Sequence, residues 1–466
     1  MSDGQRGPAA AEIEPFTSEG GEPPVVVIGA GPAGLAAAAH LVERGLNFLL
    51  LESGQQVGAS IAQWGHVRTF SPWRYNVDAA ARRLLQGEGW SAPDPEWLPT
   101  GAELIDDYLT PLAKHPAIAP RVRFGATVTA ISRLGHDRVR SVGREQVPFL
   151  IRLADGREIH ARAIVDASGT WATPNVLGAN GLPAHGEPEA AVLIDHALPD
   201  VLGADRERYE GRHTLVVGAG HSAATTLLAL ARLQDTPLTW AIRAGSAARA
   251  YGGGEADALP ARGALGARLH TLVEDGRIRL LTGFLTHSVT EAGGQVTVLS
   301  RDPSGAEQSV TAERVVAATG YRPDHSIASE LRLDLDPILG SPRALAPLID
   351  PNQHSCGTVP AHGVRELSHP ESGYYAVGVK SYGRAPTFLM ATGYEQVRSV
   401  VAALAGDWDA AHDVRLELPE TGVCSSGLAE AQERRVGLAT GIGGGLLATP
   451  LPLVTAGGSD GGGCCG

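Results

Sequence analysis

An α/β fold, with two dinucleotide-binding units of which the second is inserted into the first and a glycine-rich tail after both, is predicted by three observations. Two glycine-rich loops of one kind lie about 190 residues apart. Each follows a short apolar run and opens a small-residue helix that leads to a second apolar run. Two more apolar runs, Ala163 to Val165 and Val315 to Ala317, each end in a small-residue turn.

The first unit opens with Val25 to Ile28, an unbroken apolar run of the kind that makes a parallel strand buried on both faces. Gly29-Ala30-Gly31-Pro32-Ala33-Gly34 follows, then an Ala-rich helix to Gly45, the apolar strand Phe48 to Leu51, and Glu52 at its end. In this pattern Gly29 makes the tight turn, Gly31 lets backbone approach a pyrophosphate, and Gly34 lets helix pack on strand, while the helix N-terminus faces the phosphate charge. Glu52 is placed to accept from a ribose 2′-hydroxyl, and a carboxylate there repels a 2′-phosphate. This half is therefore expected to hold FAD or NAD.

The second unit repeats the pattern with one telling change. Thr214 to Val217 leads into Gly218-Ala219-Gly220-His221-Ser222-Ala223, a helix is expected through Leu227 to Leu233, and the strand Leu238 to Ile242 ends at Arg243. No acid stands where Glu52 stood, and a guanidinium there suits the 2′-phosphate of NADPH. Two Rossmann-like units with opposite ribose readers imply two nucleotides in one enzyme.

Asp166-Ala167-Ser168-Gly169-Thr170-Trp171 and Ala318-Thr319-Gly320-Tyr321-Arg322-Pro323-Asp324 continue the last two apolar runs and resemble the crossover segments of a known superfamily. With these segments the chain resembles, over residues 24 to 405, the two-dinucleotide-binding-domain flavoproteins, and among them the NADPH-dependent flavin-containing monooxygenases. The resemblance implies FAD on Gly29, Gly31, Ala33, Gly34 and Glu52, with Val128 against the adenine, Trp64 walling the flavin, and Gly320 and Gly378 in small-residue turns close to a cofactor. It implies NADPH on Gly218, Gly220, Ser222, Ala223 and Arg243, and Asn76 as the residue that steadies the oxygenated flavin. The implied reaction passes hydride from NADPH to flavin, which captures O₂ as a peroxide that attacks a soft nucleophile such as N, S or trivalent As. Trp64 and Trp73 read equally well as core aromatics. Two departures stand out: the monooxygenase fingerprint before the NADPH loop survives only as a fragment around His196, and the first domain lacks the Cys-x-x-x-x-Cys helix of disulfide reductases.

The expected organisation is a disordered leader over 1–23, FAD-binding segments at 24–180 and 309–407 around an NADPH domain at 181–308, and a C-terminal extension at 408–466. Strand-like stretches run from Val122 to Ile131, Phe149 to Leu153, Ile278 to Leu281, Gln295 to Leu299 and Tyr374 to Gly378, with a helix beginning near Pro386 and re-entry into the FAD domain near Arg314. At 466 residues and a formal charge of −13, the chain is long enough for two to three cores and too acidic for a nucleic-acid or anionic-membrane footprint. The acidic, Gly/Pro/Ser-rich start has no signal-peptide pattern, so a cytoplasmic protein with small-molecule partners is expected.

The four cysteines make no disulfide framework. Cys356 lies in His354-Ser355-Cys356, six residues before His362, a spacing that either ligates a soft ion or is a polar turn with incidental histidines. Cys464 and Cys465 end a glycine-rich arm, and Cys424 is a third candidate thiolate for a soft metal or metalloid. The flexible-chain estimate from Val436 to Cys464 is roughly 30 Å, enough to return the thiols to an active site or reach across a homodimer. That arm resembles the Cys-Cys tail of mercuric reductases, and the chain also resembles the flavin monooxygenases found beside arsenic-resistance genes in actinobacteria. A reductase acting on a thiol, disulfide or soft metal ion through these cysteines, and a metalloid-binding protein with a structural flavin, are the alternatives to the monooxygenase.

Overall fold

The computed structural model describes residues 21–415, apart from 197, 253–258, 352–358 and 386–387. The chain runs β1 (Val25–Ile28), α1 (Pro32–Glu43), β2 (Phe48–Leu51), a helical excursion, β3 (Val122–Arg123), a meander of β4 (Val128–Arg133), β5 (Phe149–Leu153) and β6 (Glu158–Ala161), and β7 (Ala163–Asp166). After a crossover come β8 (Ile194–His196), β9 (Thr214–Val217), α2 (His221–Leu230), β10 (Leu238–Ala241), α3 (Pro260–Glu274) and β11 (Ile278–Leu281). A second meander, β12 (Thr286–Ala292), β13 (Gln295–Arg301) and β14 (Glu307–Ala312), precedes β15 (Arg314–Ala317), and the return carries β16 (Tyr374–Ala376) and α4 (Met390–Leu404).

The first sheet has the order β16-β7-β1-β2-β3, with β1 parallel to both neighbours and Ile28 paired with Leu51 and Asp166. Alternate side chains face opposite ways along a strand. Val25, Val27, Phe48 and Leu50 accordingly pack with Leu35 of α1 and Val397 and Val400 of α4. Val26, Ile28, Leu49 and Leu51 pack against Ile131, Phe149 and Ile151 of the meander. Each such side chain removed from water contributes about 1.5–3 kcal/mol.

The second sheet, β11-β10-β9-β15-β8, repeats the plan. Val216, Trp240 and Val316 pack with Leu227 of α2 and Leu269 of α3, while Leu215, Val217, Val315 and Ala317 face Val289, Val296, Val298 and Val310 of the second meander. Both units are three-layered, helices on one face and a meander on the other.

The structure corrects several boundaries. The stretch from Val122 to Ile131 is two strands in different sheets, because the chain turns at Gly125, whose φ is +65°, and Ala126 donates to the Glu52 carbonyl at 2.8 Å. β15 is hydrogen-bonded to β9 and β8, so the chain leaves the second unit after Ala317 and not near Arg314. The second phosphate-loop helix ends at Leu230, short of Leu233, and the last strand ends at Ala376. The helix expected from Pro386 is α4, which begins at Met390.

One buried charge cluster ties the return segment to the first meander. Glu371 accepts from Arg133 Nε at 2.8 Å, Arg144 Nη2 at 2.8 Å and the Arg332 amide at 3.1 Å, and Glu371, Arg133 and Arg144 are each at most 5 % exposed. Burial alone would raise the Glu371 pKa, but its bonds from Arg144 and Arg133 hold it below the ordinary value.

Candidate functional site

The first loop is shaped so that its own backbone closes the turn and leaves one glycine open. Gly29 has φ +98°, and a Cβ there would lie 2.7 Å from the Ala167 carbonyl oxygen. A Cβ on Gly34 would lie 1.9 Å from the Gly29 oxygen. A Cβ on Gly31 would meet nothing within 4 Å, so the concavity above it is free for a ligand. No side chain caps α1 and Pro32 supplies no N–H, which leaves the amides of Ala33 and Gly34 as donors at the positive end of the helix. Ala33 also lies against the last turn of the site, 3.1 Å from where a Gly378 Cβ would fall.

Glu52 stands at the end of β2, 7 % exposed, and already accepts from the amides of Ala30 and Gly54, both at 2.7 Å, and from Ser53 Oγ at 3.3 Å. A carboxylate has about four acceptor positions, so one remains for a ribose hydroxyl. Glu52 thus shapes the loop beside the ribose that it is expected to read. Val128, half-buried in β4 opposite Leu153, packs on the same side of the sheet as Ile28 and Leu51.

Trp64 is half-buried, its ring so close to Gly101 that a Cβ there would sit 2.9 Å from Cε3, and it packs on the helical core of the first unit. Asn76 has no exposed surface. Its amide donates to the Ser71 carbonyl at 2.8 Å and accepts from Ser71 Oγ at 2.9 Å, while its own carbonyl accepts from Tyr394 Oη at 2.8 Å. In this arrangement Asn76 pins a turn and has no surface exposed to a ligand, unlike the flavin-facing position expected of it.

The second loop has the same construction. Gly218 has φ +135°, and its Cβ would lie 2.1 Å from the Ala318 oxygen, whereas a Cβ on Gly220 would meet nothing within 4 Å. Ser222 is half-exposed in the first turn of α2 and Ala223 is buried beneath it. Arg243 projects, exposed, past β10, and among the described residues its guanidinium makes a single bond, from Nη1 to the Ala179 carbonyl at 3.3 Å. Its remaining donors are available to a phosphate. Trp240, fully buried, donates from Nε1 to the Gly218 carbonyl at 2.7 Å, a loop-holding role its place in an apolar run conceals.

The two crossovers lie side by side between the sheets. Asn175 donates to the Gly320 carbonyl at 2.8 Å, Arg322 donates to the Thr173 carbonyl at 3.0 Å, and Trp171 stacks on Tyr321 with ring centroids 4.8 Å apart. Trp171 Nε1 also donates to Gln63 Oε1 at 2.8 Å, joining the crossover to the segment that carries Trp64. Gly320, with φ +85°, is exposed here, and Gly378, with φ +68°, opens the turn that follows the last strand of the first sheet. A buried pair that sequence reading passed over lies beside it: Lys380 Nζ donates to Asp166 Oδ2 at 2.7 Å and to Ser168 Oγ at 2.9 Å.

His362 has both ring nitrogens engaged. Nδ1 lies 3.0 Å from the Pro360 carbonyl and so carries the proton, and Nε2 accepts from Gln396 Nε2 at 3.0 Å. Burial lowers its pKa, which keeps it neutral. A ring so satisfied has no lone pair for a metal. His354, Cys356, Cys424, Cys464 and Cys465 lie outside the described residues. Among the described residues no group of three or more His, Cys, Asp or Glu is placed to hold a metal ion, and no helix is long and apolar enough to cross a membrane.

Comparison with known proteins agrees with this geometry. Indole-3-pyruvate monooxygenase YUCCA1 of Oryza sativa is 31% identical over 215 residues, which are 45% of each chain, so the match spans under half the length of that relative. Bacillithiol disulfide reductase from Bacillus cereus has a TM-score of 0.61 at 19% identity, covering 83% of this chain and 99% of its own. The ornithine N-hydroxylase of Kutzneria sp. 744 has a TM-score of 0.57 at 17% identity, covering 83% and 99%. At these identities the two structures speak to the fold alone. The model of the pyridine nucleotide-disulphide oxidoreductases matches residues 23–339, and with two phosphate loops built as described the chain belongs to that family, a flavoprotein oxidoreductase of FAD and NADPH.

Proposed function

We propose that this enzyme is a monooxygenase, in which NADPH reduces the flavin and O₂ is then used to oxygenate a soft nucleophile (N, S or trivalent As). The observation that carries the reading is the flavin-side segment from Val57 to Asp78. It supplies Gln63, Trp64 and Ser71 and no cysteine, and all four cysteines of the chain lie beyond residue 350. A reductase that passes electrons from flavin to a disulfide needs a thiol pair near it. The partial likeness to a monooxygenase supports the same reading.

In this reading Gly29, Gly31, Ala33 and Gly34 take the FAD pyrophosphate on backbone amides, Glu52 takes the ribose, and Val128 backs the adenine. Trp64 and the turns at Gly320 and Gly378 close the pocket around the ring system. Gly218, Gly220, Ser222 and Ala223 take the NADPH pyrophosphate, with Arg243 on the 2′-phosphate. When bound, FAD supplies the hydride acceptor and the activation of O₂. The protein's part is to hold the two dinucleotides and keep water from the reacting face, a role this reading gives to the Trp171–Tyr321 stack between the crossovers. No step is assigned to Asn76, whose amide is used by Ser71.

The test is anaerobic reduction with NADPH followed by rapid mixing with O₂ while the flavin absorbance is followed. A spectrum distinct from both oxidised and fully reduced flavin, persisting before reoxidation, is the expected result. Direct return to the oxidised spectrum, together with loss of NADPH consumption in a Cys464→Ala/Cys465→Ala variant, would overturn the proposal in favour of the thiol-using reductase.

A further inference from the structure

Lysine is almost never fully buried without a partner, and Lys380 is 1 % exposed. Its partner Asp166 is 0 % exposed, and the carboxylate is saturated: Oδ2 accepts from Lys380 Nζ and Tyr374 Oη, each at 2.7 Å, and Oδ1 accepts from the Ser168 amide at 3.1 Å and Ser168 Oγ at 2.6 Å. The place of the pair is what gives it meaning. Asp166 is the last residue of β7 and pairs in register with Ile28, the residue before the first phosphate loop. The next carbonyl, that of Ala167, is what a Gly29 side chain would strike. Lys380 lies in the 3₁₀ turn Gly378–Tyr382, which abuts Ala33 in the first turn of α1.

In open α/β sheets the ligand lies outside the carboxyl ends of the strands, where the chain winds to opposite sides of the first strand. The point here is between β1 and β7. The pair therefore joins the two turns that border the FAD crevice, with Ser168, exposed, between it and the opening. The other ionisable groups sensing Lys380 are Asp324 and His325, from the segment returning from the second unit. In so dry a setting a charge is poorly screened and acts over several ångströms.

We propose that Asp166 and Lys380 are a positioning pair for the bound flavin, a neutral two-charge clamp that fixes both crevice turns and sets the electrostatic potential at which the flavin takes up electrons. The inference rests on FAD occupying the first loop. Reduction adds negative charge to the flavin, so an uncompensated cation beside the crevice favours the reduced form and an uncompensated anion disfavours it. A clamp with a purely packing role has no such sign.

The experiment compares the flavin midpoint potential, measured anaerobically against reference dyes, and the affinity of the deflavinated protein for FAD, measured by flavin fluorescence. The proteins are the full chain and its Asp166→Asn, Lys380→Met and Asp166→Asn/Lys380→Met variants. The expected result is an upward shift of potential in Asp166→Asn, a downward shift in Lys380→Met, and a double variant that returns toward the parent. Where Lys380→Met does not yield folded protein, Lys380→Arg takes its place and is expected to keep the parent potential, while Asp166→Asn still moves upward. Shifts of the same sign in both single variants, or an unchanged potential in Asp166→Asn, overturn the inference while leaving the cofactor assignment intact. A parent protein that neither carries nor rebinds FAD overturns both.

Discussion

Replacing Arg243 by Glu inverts the charge at the position proposed to read the 2′-phosphate, and the structure sets the size of the effect. Arg243 is exposed and spends one donor on the Ala179 carbonyl, so its loss costs the fold little, as at most surface sites. A hydrogen bond to a charged group contributes about 1.5–3 kcal/mol. At about 1.4 kcal/mol per tenfold, Arg243→Ala should raise the NADPH KM by roughly 10- to 150-fold, with the exposed setting favouring the lower end. In the Glu variant, a carboxylate about 4 Å from a phosphate of nearly two charges adds roughly 2 kcal/mol of repulsion at the dielectric of water, before salt screening. A further loss of about tenfold in NADPH use is therefore expected. NADH lacks the phosphate and should be affected by no more than about twofold in the Ala variant. Steady-state kinetics with both nucleotides, at low and high ionic strength, measure the ratio of their kcat/KM values. A ratio unchanged in Arg243→Glu would refute the assignment, and a fall equal for NADH and NADPH would show a disturbed fold.

Further expectations concern the loops and the buried charges. Gly31→Ala and Gly220→Ala should each fold normally, since neither Cβ meets protein atoms and neither backbone has a positive φ, yet each should weaken one dinucleotide by roughly tenfold or more, FAD for the first and NADPH for the second. Flavin content and NADPH titration distinguish them, and normal binding of both would place the ligands elsewhere. Gly34→Ala, whose Cβ would lie 1.9 Å from a backbone oxygen, should instead fail to give stable protein, visible as a collapse of the thermal transition. Glu371→Gln leaves Arg133 and Arg144 buried without their counter-charge and should cost about 3–5 kcal/mol in urea denaturation. Because the folded pKa of Glu371 lies below its unfolded value, its stabilisation is fully present above the unfolded value of about 4.3 and is lost as pH falls through the folded one. The gap between parent and variant should therefore close on acidification; a gap that is constant down to pH 3 would contradict the ion-pair account.

Much of the fold was legible because parallel strands buried on both faces leave unbroken apolar runs. Val25 to Ile28, Phe48 to Leu51 and Thr214 to Val217 are strands within the bounds their sequences suggest, all fully buried. The glycines were legible for a similar reason: Gly29 and Gly218 each have a positive φ and a carbonyl where a side chain would be, so no other residue fits. Sheet membership was harder to read. Nothing local separates Val122 from Val128, since both are β-branched residues in an apolar stretch, and only the turn at Gly125 and the Glu52 carbonyl assign them to different sheets. The Arg314 boundary failed in the same way, because a return strand of one sheet and an entry strand of the next have the same composition.

The residues hardest to read are those whose role depends on a distant partner. Asn76 matched a motif position, but whether an amide faces a pocket or its own turn is decided by Ser71 and by Tyr394, 318 residues away. Asp166 and Lys380 are the converse: the first stands in a crossover motif and the second just beyond a predicted strand, with nothing local to connect them until the fold brings them to 2.7 Å across 214 positions. Burying a charge costs several kcal/mol unless it is paired and hydrogen-bonded, so a lone Asp ending one apolar strand and a lone Lys just after another each call for a partner. Two such unmatched charges at the carboxyl ends of strands in one predicted sheet are a signal that can be read without coordinates. Only the sheet order, with β16 beside β7, says that they meet, and only their place next to the Gly29 turn makes the meeting a matter of cofactor chemistry and not of stability alone.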